Sequence, residues 1–358
     1  MAQTNTTVRD YLALAVNYQL MRGLLSAAKR NFPYMNGTLP GQLMRNQDTW
    51  SVKWERLSNL AISTTALSEK TNVAFQMGRT PVTPTLSNLT ATVQKYGQFI
   101  NVSEDVDLTK INATTARLVD VLGEAAGASA NALQRNLYDA ETTYRRSGAV
   151  ASTSLIVTAL SDNDVKYVVQ ALRNQSAMKF FPMTTGSTNI GTLPILDSYF
   201  GVVHSHLVET VRGLTGFVDV TKYAGQVRTL VGEIGHAHEV RWCYSEIAPV
   251  DSGAGVTSVN GMHGAGTSQN DVFSTFIWGR ESAGTVGFNM NWPDGIYTGG
   301  DEAPSPVELV TKAVGSAGAA DPHNEWGTVA YNLRWAGKVL NSNWLKKIET
   351  LAPSFASS

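Results

Sequence analysis

The chain has 358 residues, of which 43% are hydrophobic and only 16% are charged, and its net charge is −1. Its length allows two modest domains or one elaborated domain. Because the net charge is close to zero, the chain as a whole is not attracted to nucleic acid by an overall positive charge. The single cysteine, Cys243, excludes an intramolecular disulfide and a multi-cysteine metal site.

The rest of the composition favours a subunit of an assembly. The charged share lies below the roughly 25% that is typical of soluble domains, and small polar residues and eight Trp fill the gap. The start of the chain lacks the layout of a signal peptide, and no stretch approaches about 20 uninterrupted apolar residues. We therefore expect a soluble protein that is made in a reducing cytoplasm and buries much of its surface against other subunits.

Residues 1–47 are predicted to form an arm rather than a domain. Apolar residues recur at helical spacing from Tyr11 to Leu25, and prolines and glycines from Pro33 onwards end the pattern. The arm carries five basic residues against one acid, so it can follow DNA phosphates without reading sequence. An amphipathic helix that faces solvent explains the pattern equally well. The basic residues are Arg9, Arg22, Lys29, Arg30 and Arg45.

Residues 48–106 are predicted to form a long hairpin. Trp50, Val52 and Trp54 alternate with polar residues, which indicates a strand. A stretch rich in Thr, Ser and Asn follows, and strand-like alternation returns at residues 91–102. A hairpin of this length cannot bury both faces by itself, so we expect it to need a partner.

Two helices are predicted next. The first covers residues 107–146, with Asp107 as its cap and Arg145 and Arg146 at its negative end, and would span about 60 Å if it were continuous. The second begins after Ser161 and continues to about Asn174.

Two further segments complete the chain. Residues 180–317 alternate short apolar runs with Gly-, Ser- and Pro-rich loops, with a helix near residues 205–214, which indicates a mixed α/β domain inserted into the first. Residues 325–350 read as period-2 strands with a turn at residues 341–343.

The histidine pairs are the clearest candidates for a chemical site. His204 with His206, and His236 with His238, have the spacing that places both imidazoles on one face of a strand. Four such histidines can bind zinc if the pairs meet, but no Cys or carboxylate lies at a matching spacing. Hydrogen-bonded or surface histidines are therefore favoured.

Other chemical signatures are missing from the sequence. The Gly-rich loop at residues 253–266 lacks the Gly-Lys-Ser/Thr ending of a phosphate-binding loop. No nucleophile elbow or zinc-protease helix occurs. The sequence predicts a protein that is not an enzyme and uses no metal or cofactor.

Three segments, in this order, resemble the major capsid family typified by N4-like tailed phages. Residues 93–105 resemble the family's junction from hairpin to spine helix, residues 232–246 its glycine-rich strand, and residues 315–333 its loop back to the peripheral domain. The resemblance extends over about residues 10–350.

The resemblance implies an α+β chain with the HK97-type capsid fold. The expected parts are an N-terminal arm at 1–47, an extended loop at 48–97, a peripheral domain at 98–180 with 318–358, and an axial domain at 181–317. The arm would face packaged DNA, and the extended loop would contact a neighbouring subunit. The expected loop contacts are Trp50, Val52, Trp54 and Phe75.

The implied function is that of a major capsid protein in the virion. Pentamers and hexamers would close into an icosahedral head around double-stranded DNA, assembled in the bacterial cytoplasm, with portal, scaffolding and cement proteins as expected partners. A plain solvated or salt-bridged role is favoured over covalent crosslinking for Lys53 and Lys70. Two alternatives stay open, an encapsulin-like compartment shell and a soluble α+β enzyme or carbohydrate-binding protein.

Overall fold

The computed structural model of the chain describes most of its length. The described residues are 24, 33–41, 51–57, 60, 62, 64, 83–105, 114–180, 196–223, 229–230, 232–257, 259, 261–264, 269–286, 307–312, 314, 323 and 325–354.

Strands dominate the described residues and form four sheets. The strands are β1 (Leu39–Pro40), β2 (Ser51–Leu57), β3 (Leu86–Thr92), β4 (Gln94–Ser103), β5 (Thr143–Arg146), β6 (Tyr199–His204), β7 (Val218–Asp219), β8 (Glu233–Ala237), β9 (Val240–Ser245), β10 (Val250–Asp251), β11 (Val272–Trp278), β12 (Ala283–Thr285), β13 (Val307–Lys312), β14 (Trp326–Trp335), β15 (Gly337–Val339) and β16 (Leu345–Thr350). The helices are α1 (Thr114–Asp139), α2 (Asp162–Asn174) and α3 (Val208–Arg212). Within the described part of the chain, no helix is both long and apolar enough to span a bilayer.

The largest sheet has eight strands, in the order β5-β16-β11-β6-β9-β8-β7, with β10 paired to β11. Strands β6, β11 and β16 are buried along their whole length. Helices α2 and α3 cover one face, and the end of α1 with the segment 33–41 covers the other. A sheet covered on both faces can hold continuous runs of apolar residues, which is why these strands show little alternation.

A second core joins α1 to the three-stranded sheet β13-β14-β4. Val119, Leu122, Ala126 and Ala130 recur at helical spacing and pack against buried residues of β14. Val329, Tyr331 and Leu333 of β14 are buried and alternate with half-buried residues, so among the described residues the core lies on one face of this sheet only.

The expected helix at 107–146 is wrong at its C-terminal end. Helix α1 ends at Asp139, and Tyr144, Arg145 and Arg146 lie in β5, which pairs parallel with β16. Pairing with a distant strand therefore overrides the helical periodicity. The predicted cap, Asp107, lies outside the described residues.

Carboxylates, rather than the end of a helix, bind the two arginines. The Arg145 guanidinium lies 2.9 Å from the buried Asp164 carboxylate, and Arg146 lies 3.2 Å from Glu349. Lys347 reaches the Asp139 carboxylate at 2.7 Å. These contacts tie the end of α1, the start of α2 and strand β16 together.

The expected start of the second helix is confirmed. Ser161 is the N-cap of α2, and its hydroxyl accepts from the backbone N–H of Asp164. The predicted turn at 341–343 is also present, as a short helical turn in which Asn341 accepts from the backbone N–H of Asn343.

The turn between β8 and β9 has an unusual backbone. His238 and Glu239 both have positive φ, 50° and 63°, although neither is glycine, and two such residues suit the twist of a tight hairpin. Both side chains are fixed to the α2 region, since His238 donates to Asp162 at 2.6 Å and Glu239 accepts from Lys179 at 2.8 Å. Hydrogen bonds from Thr215 and His238 lower the pKa of Asp162 to about 2.

Hydrogen-bonded strands connect the predicted domains. Strand β13 lies in the range 181–317 and pairs with β14, whereas β16, from the range 318–358, pairs with β11. The four-part division stays a prediction.

A buried ion pair fixes the far edge of the large sheet. The side chains of Glu233 and Arg241 are 0% and 2% exposed, and the Arg241 Nε lies 2.6 Å from the carboxylate. The Tyr223 hydroxyl and the backbone N–H of Leu230 also donate to Glu233, at 2.9 and 2.8 Å. The carboxylate is therefore fully bonded inside the protein.

We expect Arg241→Met to lower the free energy of unfolding by about 3–5 kcal/mol, because it leaves the Glu233 charge buried without its cation. Adding Glu233→Gln should restore part of the loss. The measurement is urea denaturation of the purified protein. As a control, Arg212→Met removes the exposed pair with Glu209 and should cost no more than about 1 kcal/mol. Equal effects of Arg241→Met and Arg212→Met would contradict the prediction.

Candidate intersubunit surfaces

The base of the predicted hairpin is anchored in its own subunit. Strands β2 and β3 pair antiparallel from Ser51–Thr92 to Leu57–Leu86. Val52 and Trp54 are 4% and 6% exposed and belong to a core cluster with Val93, Val286 and Ala336.

Two glycines make room for the Trp54 ring. A Cβ on Gly284 would lie 2.6 Å from the ring, and one on Gly41 would lie 2.7 Å from it. Strand β1 pairs with β12, which brings both glycines to the same place. The hairpin base is therefore fixed by close packing against β1 and β12.

The outer half of the hairpin exposes its apolar residues. Leu57 and Leu86 face each other in register and are 62% and 50% exposed, and Leu60 and Ile62 further along are also exposed. Isolated exposed apolar residues are common, but several exposed apolar residues on one element are typical of a contact surface. These residues are not among the contacts predicted from the sequence, although each is an apolar residue in an otherwise polar stretch.

A second apolar surface lies on the face of the sheet β13-β14-β4 that is turned away from α1. Val310, Ala330 and Phe99 are in register across β13, β14 and β4, and Phe99 is 67% exposed. Trp326, also on β14, is about half exposed. The opposite face packs on α1, so this row is directed away from the core.

Most of the predicted contact residues cannot be placed. Trp50 and Phe75 lie outside the described residues, as does each basic residue of the arm: Arg9, Arg22, Lys29, Arg30 and Arg45. Val52 and Trp54 are described, and both are buried within their own chain. Little surface of these two side chains is left to contact another subunit. Their intersubunit role stays a prediction.

The histidine pairs do not come together. His204 is in register with Ser245 of β9, whereas His236 is in register with Arg241 of the same strand. His238 lies in the β8–β9 turn bound to Asp162. Among the described residues, no group of three or more His, Cys, Asp or Glu side chains has an arrangement that could hold a metal ion.

Two further reactive side chains are occupied or enclosed. Cys243 is buried on β9, and burial raises the pKa of its thiol, so the thiol is neither accessible nor easily ionised. Lys53, on the hairpin, forms an exposed ion pair with Glu55 at 3.2 Å. Lys70 lies outside the described residues.

Comparisons with known proteins match the fold rather than the sequence. No protein-family model and no curated protein matches the chain. The capsid of Ralstonia phage GP4 matches with a TM-score of 0.58 and 12% identity, covering 87% of this chain and 86% of that one. The capsid of cyanophage P-SCSP1u matches at 0.53 and 10%, covering 91% and 90%. The head structure of Helicobacter pylori bacteriophage KHP40 matches at 0.51 and 10%, covering 90% of each chain.

The chain has the HK97-type fold of phage capsid proteins. The expected α+β class and capsid fold are thereby confirmed. Among the described residues, the end of strands β2 and β3 and the outer face of the sheet β13-β14-β4 both present large apolar side chains to solvent.

The close fit at the hairpin base can be tested with Gly284→Ala. The added methyl collides with the Trp54 ring, so we expect the free energy of unfolding to fall by about 1–3 kcal/mol. Gly213→Ala is the matched control, because its Cβ would lie 3.4 Å from the nearest backbone oxygen, an ordinary contact, and should change stability by no more than about 0.5 kcal/mol. Urea denaturation of both variants gives the comparison. If they are equally stable, Gly284 is not required by packing.

Proposed function

We propose that this chain is the major capsid protein of a tailed bacteriophage. The observation that carries the proposal is the capsid fold, which matches solved phage capsids over about nine tenths of this chain and of theirs. In this role the protein is structural rather than catalytic and is located in the virion. Membership of the family typified by N4-like phages stays a prediction from the sequence resemblance.

The two apolar surfaces give the proposal a physical basis. Leu57 and Leu86 on the hairpin, and Phe99 on the sheet β13-β14-β4, keep large apolar areas in water while the subunit is alone. Burial of such area is the main favourable term in association. A hairpin of one subunit on the surface of the next is a heterologous contact, and such contacts form closed rings when the rotation between subunits closes. Pentamers and hexamers of an icosahedral head are rings of this kind.

The proposed parts are those that the resemblance implies. They are an arm at 1–47 facing double-stranded DNA, an extended loop at 48–97, a peripheral domain at 98–180 with 318–358, and an axial domain at 181–317. Portal, scaffolding and cement proteins are the proposed partners, and assembly takes place in the host cytoplasm.

The first experiment is size-exclusion chromatography of the purified protein, followed by negative-stain microscopy of the earliest fraction. Rings of five or six subunits, or closed polyhedral shells, are the expected result. A monomer or dimer at high concentration, without assemblies across a range of salt and with added scaffolding lysate, would contradict the proposal. The contents of the shells separate it from an encapsulin-like compartment, since packaged DNA supports a phage head and an enclosed enzyme supports the compartment.

The hairpin end can be tested with Leu86→Glu. Burying a leucine contributes about 1.5–3 kcal/mol, so we expect the protein concentration needed for assembly to rise roughly tenfold or more. The melting temperature of the isolated subunit should not change, because Leu86 is half exposed there. Light scattering against protein concentration measures the effect.

Ser87→Glu is the matched control for this test. It adds the same charge to the same strand, but successive residues point to opposite faces, and Ser87 is exposed and already polar. It should assemble as the unmodified chain does. If Leu86→Glu also assembles normally, this face of the hairpin is not a subunit contact.

A further inference from the structure

Three imidazole rings from two distant segments pack in a row, two of them stacked and the third tilted. His204 ends β6, and His206 follows in a short helical turn, with ring centroids 5.0 Å apart and planes only 9° from parallel. His263 lies 4.6 Å from His206 on the other side. The ring of Phe273 on β11 packs against all three. We call His204, His206 and His263 the histidine stack.

The position of His204 requires an unprotonated ring nitrogen. Its Nδ1 accepts from the backbone N–H of His206 at 3.2 Å and so caps the turn at Ser205–Leu207. A protonated imidazole has only donors, so protonation at Nδ1 would remove this cap. The residue is only 8% exposed, and burial together with His206 and His263 lowers the pKa of His204 to about 4.

The histidine stack is attached to the segment 261–264. The Nδ1 of His263 is 2.9 Å from the Asp271 carboxylate, and the backbone N–H of His263 donates to the Ala352 carbonyl at 2.8 Å. The backbone N–H of Ser354 donates to Gly261 at 2.7 Å. Segment 261–264 therefore also holds residues 352–354 near the end of the chain.

The groups around the stack are neutral or already paired. Phe273 on β11 and Ser245, the register partner of His204 on β9, are uncharged. Asp271 contacts His263.

A pocket beside His206 is also lined by four charged residues, Glu209, Arg212, Asp219 and Glu233. Glu209 binds Arg212, and Glu233 binds Arg241. Asp219 accepts from Thr221. Each of these three carboxylates is therefore already bonded to another group.

We propose that the histidine stack is an acid-sensitive clamp, which holds segment 261–264 against β6 and β11 while the His204 imidazole is neutral and releases it when His204 is protonated. Residues 352–354 then lose their hydrogen bonds to this segment. The clamp goes beyond the proposed capsid function and does not depend on it, since every contact lies within one chain.

The direction of the pH dependence follows from linkage. In the open state His204 is solvated and titrates near its ordinary value of about 6.5. The open state therefore binds more protons than the closed state between about pH 6.5 and pH 4, and opening becomes more favourable as pH falls through that window. Between pH 7 and pH 5 the opening equilibrium should rise at least tenfold.

The test is hydrogen exchange by mass spectrometry on the full chain from pH 7.5 to pH 5, corrected for the intrinsic rate at each pH. Peptides covering 261–264 should lose protection at least tenfold over this range. In His204→Asn, the side-chain oxygen still caps the turn but cannot be protonated, so protection should no longer depend on pH.

His236→Gln is the matched control, because His236 is also buried with its pKa lowered to about 4 by burial but is in register with Arg241, away from the stack. It should keep the full pH dependence at 261–264.

Two outcomes would overturn the proposal. One is exchange at 261–264 that does not change with pH in the unmodified chain, and the other is the same pH dependence in His204→Asn. If His204→Asn does not fold, an imidazole NMR titration of the unmodified chain decides, since a midpoint of His204 near pH 6.5 would also exclude the clamp.

Discussion

Helix α1 belongs to two hydrophobic cores at once, and the rest of the subunit is arranged around that constraint. Its first half packs on β14 of the three-stranded sheet, while Tyr138 near its end enters the core beneath the eight-stranded sheet. There, the rings of Tyr138 and Trp278 lie 5.1 Å apart, and Tyr34 stacks on Trp278. At about 1.5 Å per residue, the 26-residue helix is about 39 Å long and joins the two sheets as one rigid rod.

The sheets differ in how far their faces are covered within the subunit. Within the described residues, both faces of the eight-stranded sheet are covered in the subunit, whereas the three-stranded sheet is covered on one face only. The hairpin repeats the contrast within one element, since its base is packed around Trp54 and its end exposes Leu57 and Leu86. Rigid anchoring close to an exposed apolar end suits a contact that must form with defined geometry.

Local signals in the sequence predicted the elements that depend on neighbouring residues. The cap at Ser161, the turn at Asn341 and the alternation around Val52 and Trp54 are of this kind. The end of α1 could not be predicted, because β5 becomes a strand only by pairing with β16. The histidine stack was missed for the same reason, since nothing near His204 and His206 in sequence indicates that His263 packs on them.

The position of β16 has a consequence for the order of folding during synthesis. It is among the last described segments of the chain, yet it lies between β5 and β11 inside the large sheet. Strand β5 has β16 as its neighbour, and the contact between Thr143 and Glu349 spans 206 residues. The sheet therefore cannot close until the ribosome has delivered β16, and contacts of such high sequence separation form slowly. A nascent chain stays incompletely folded up to that moment, which delays the appearance of a subunit competent to associate until β16 has been synthesised.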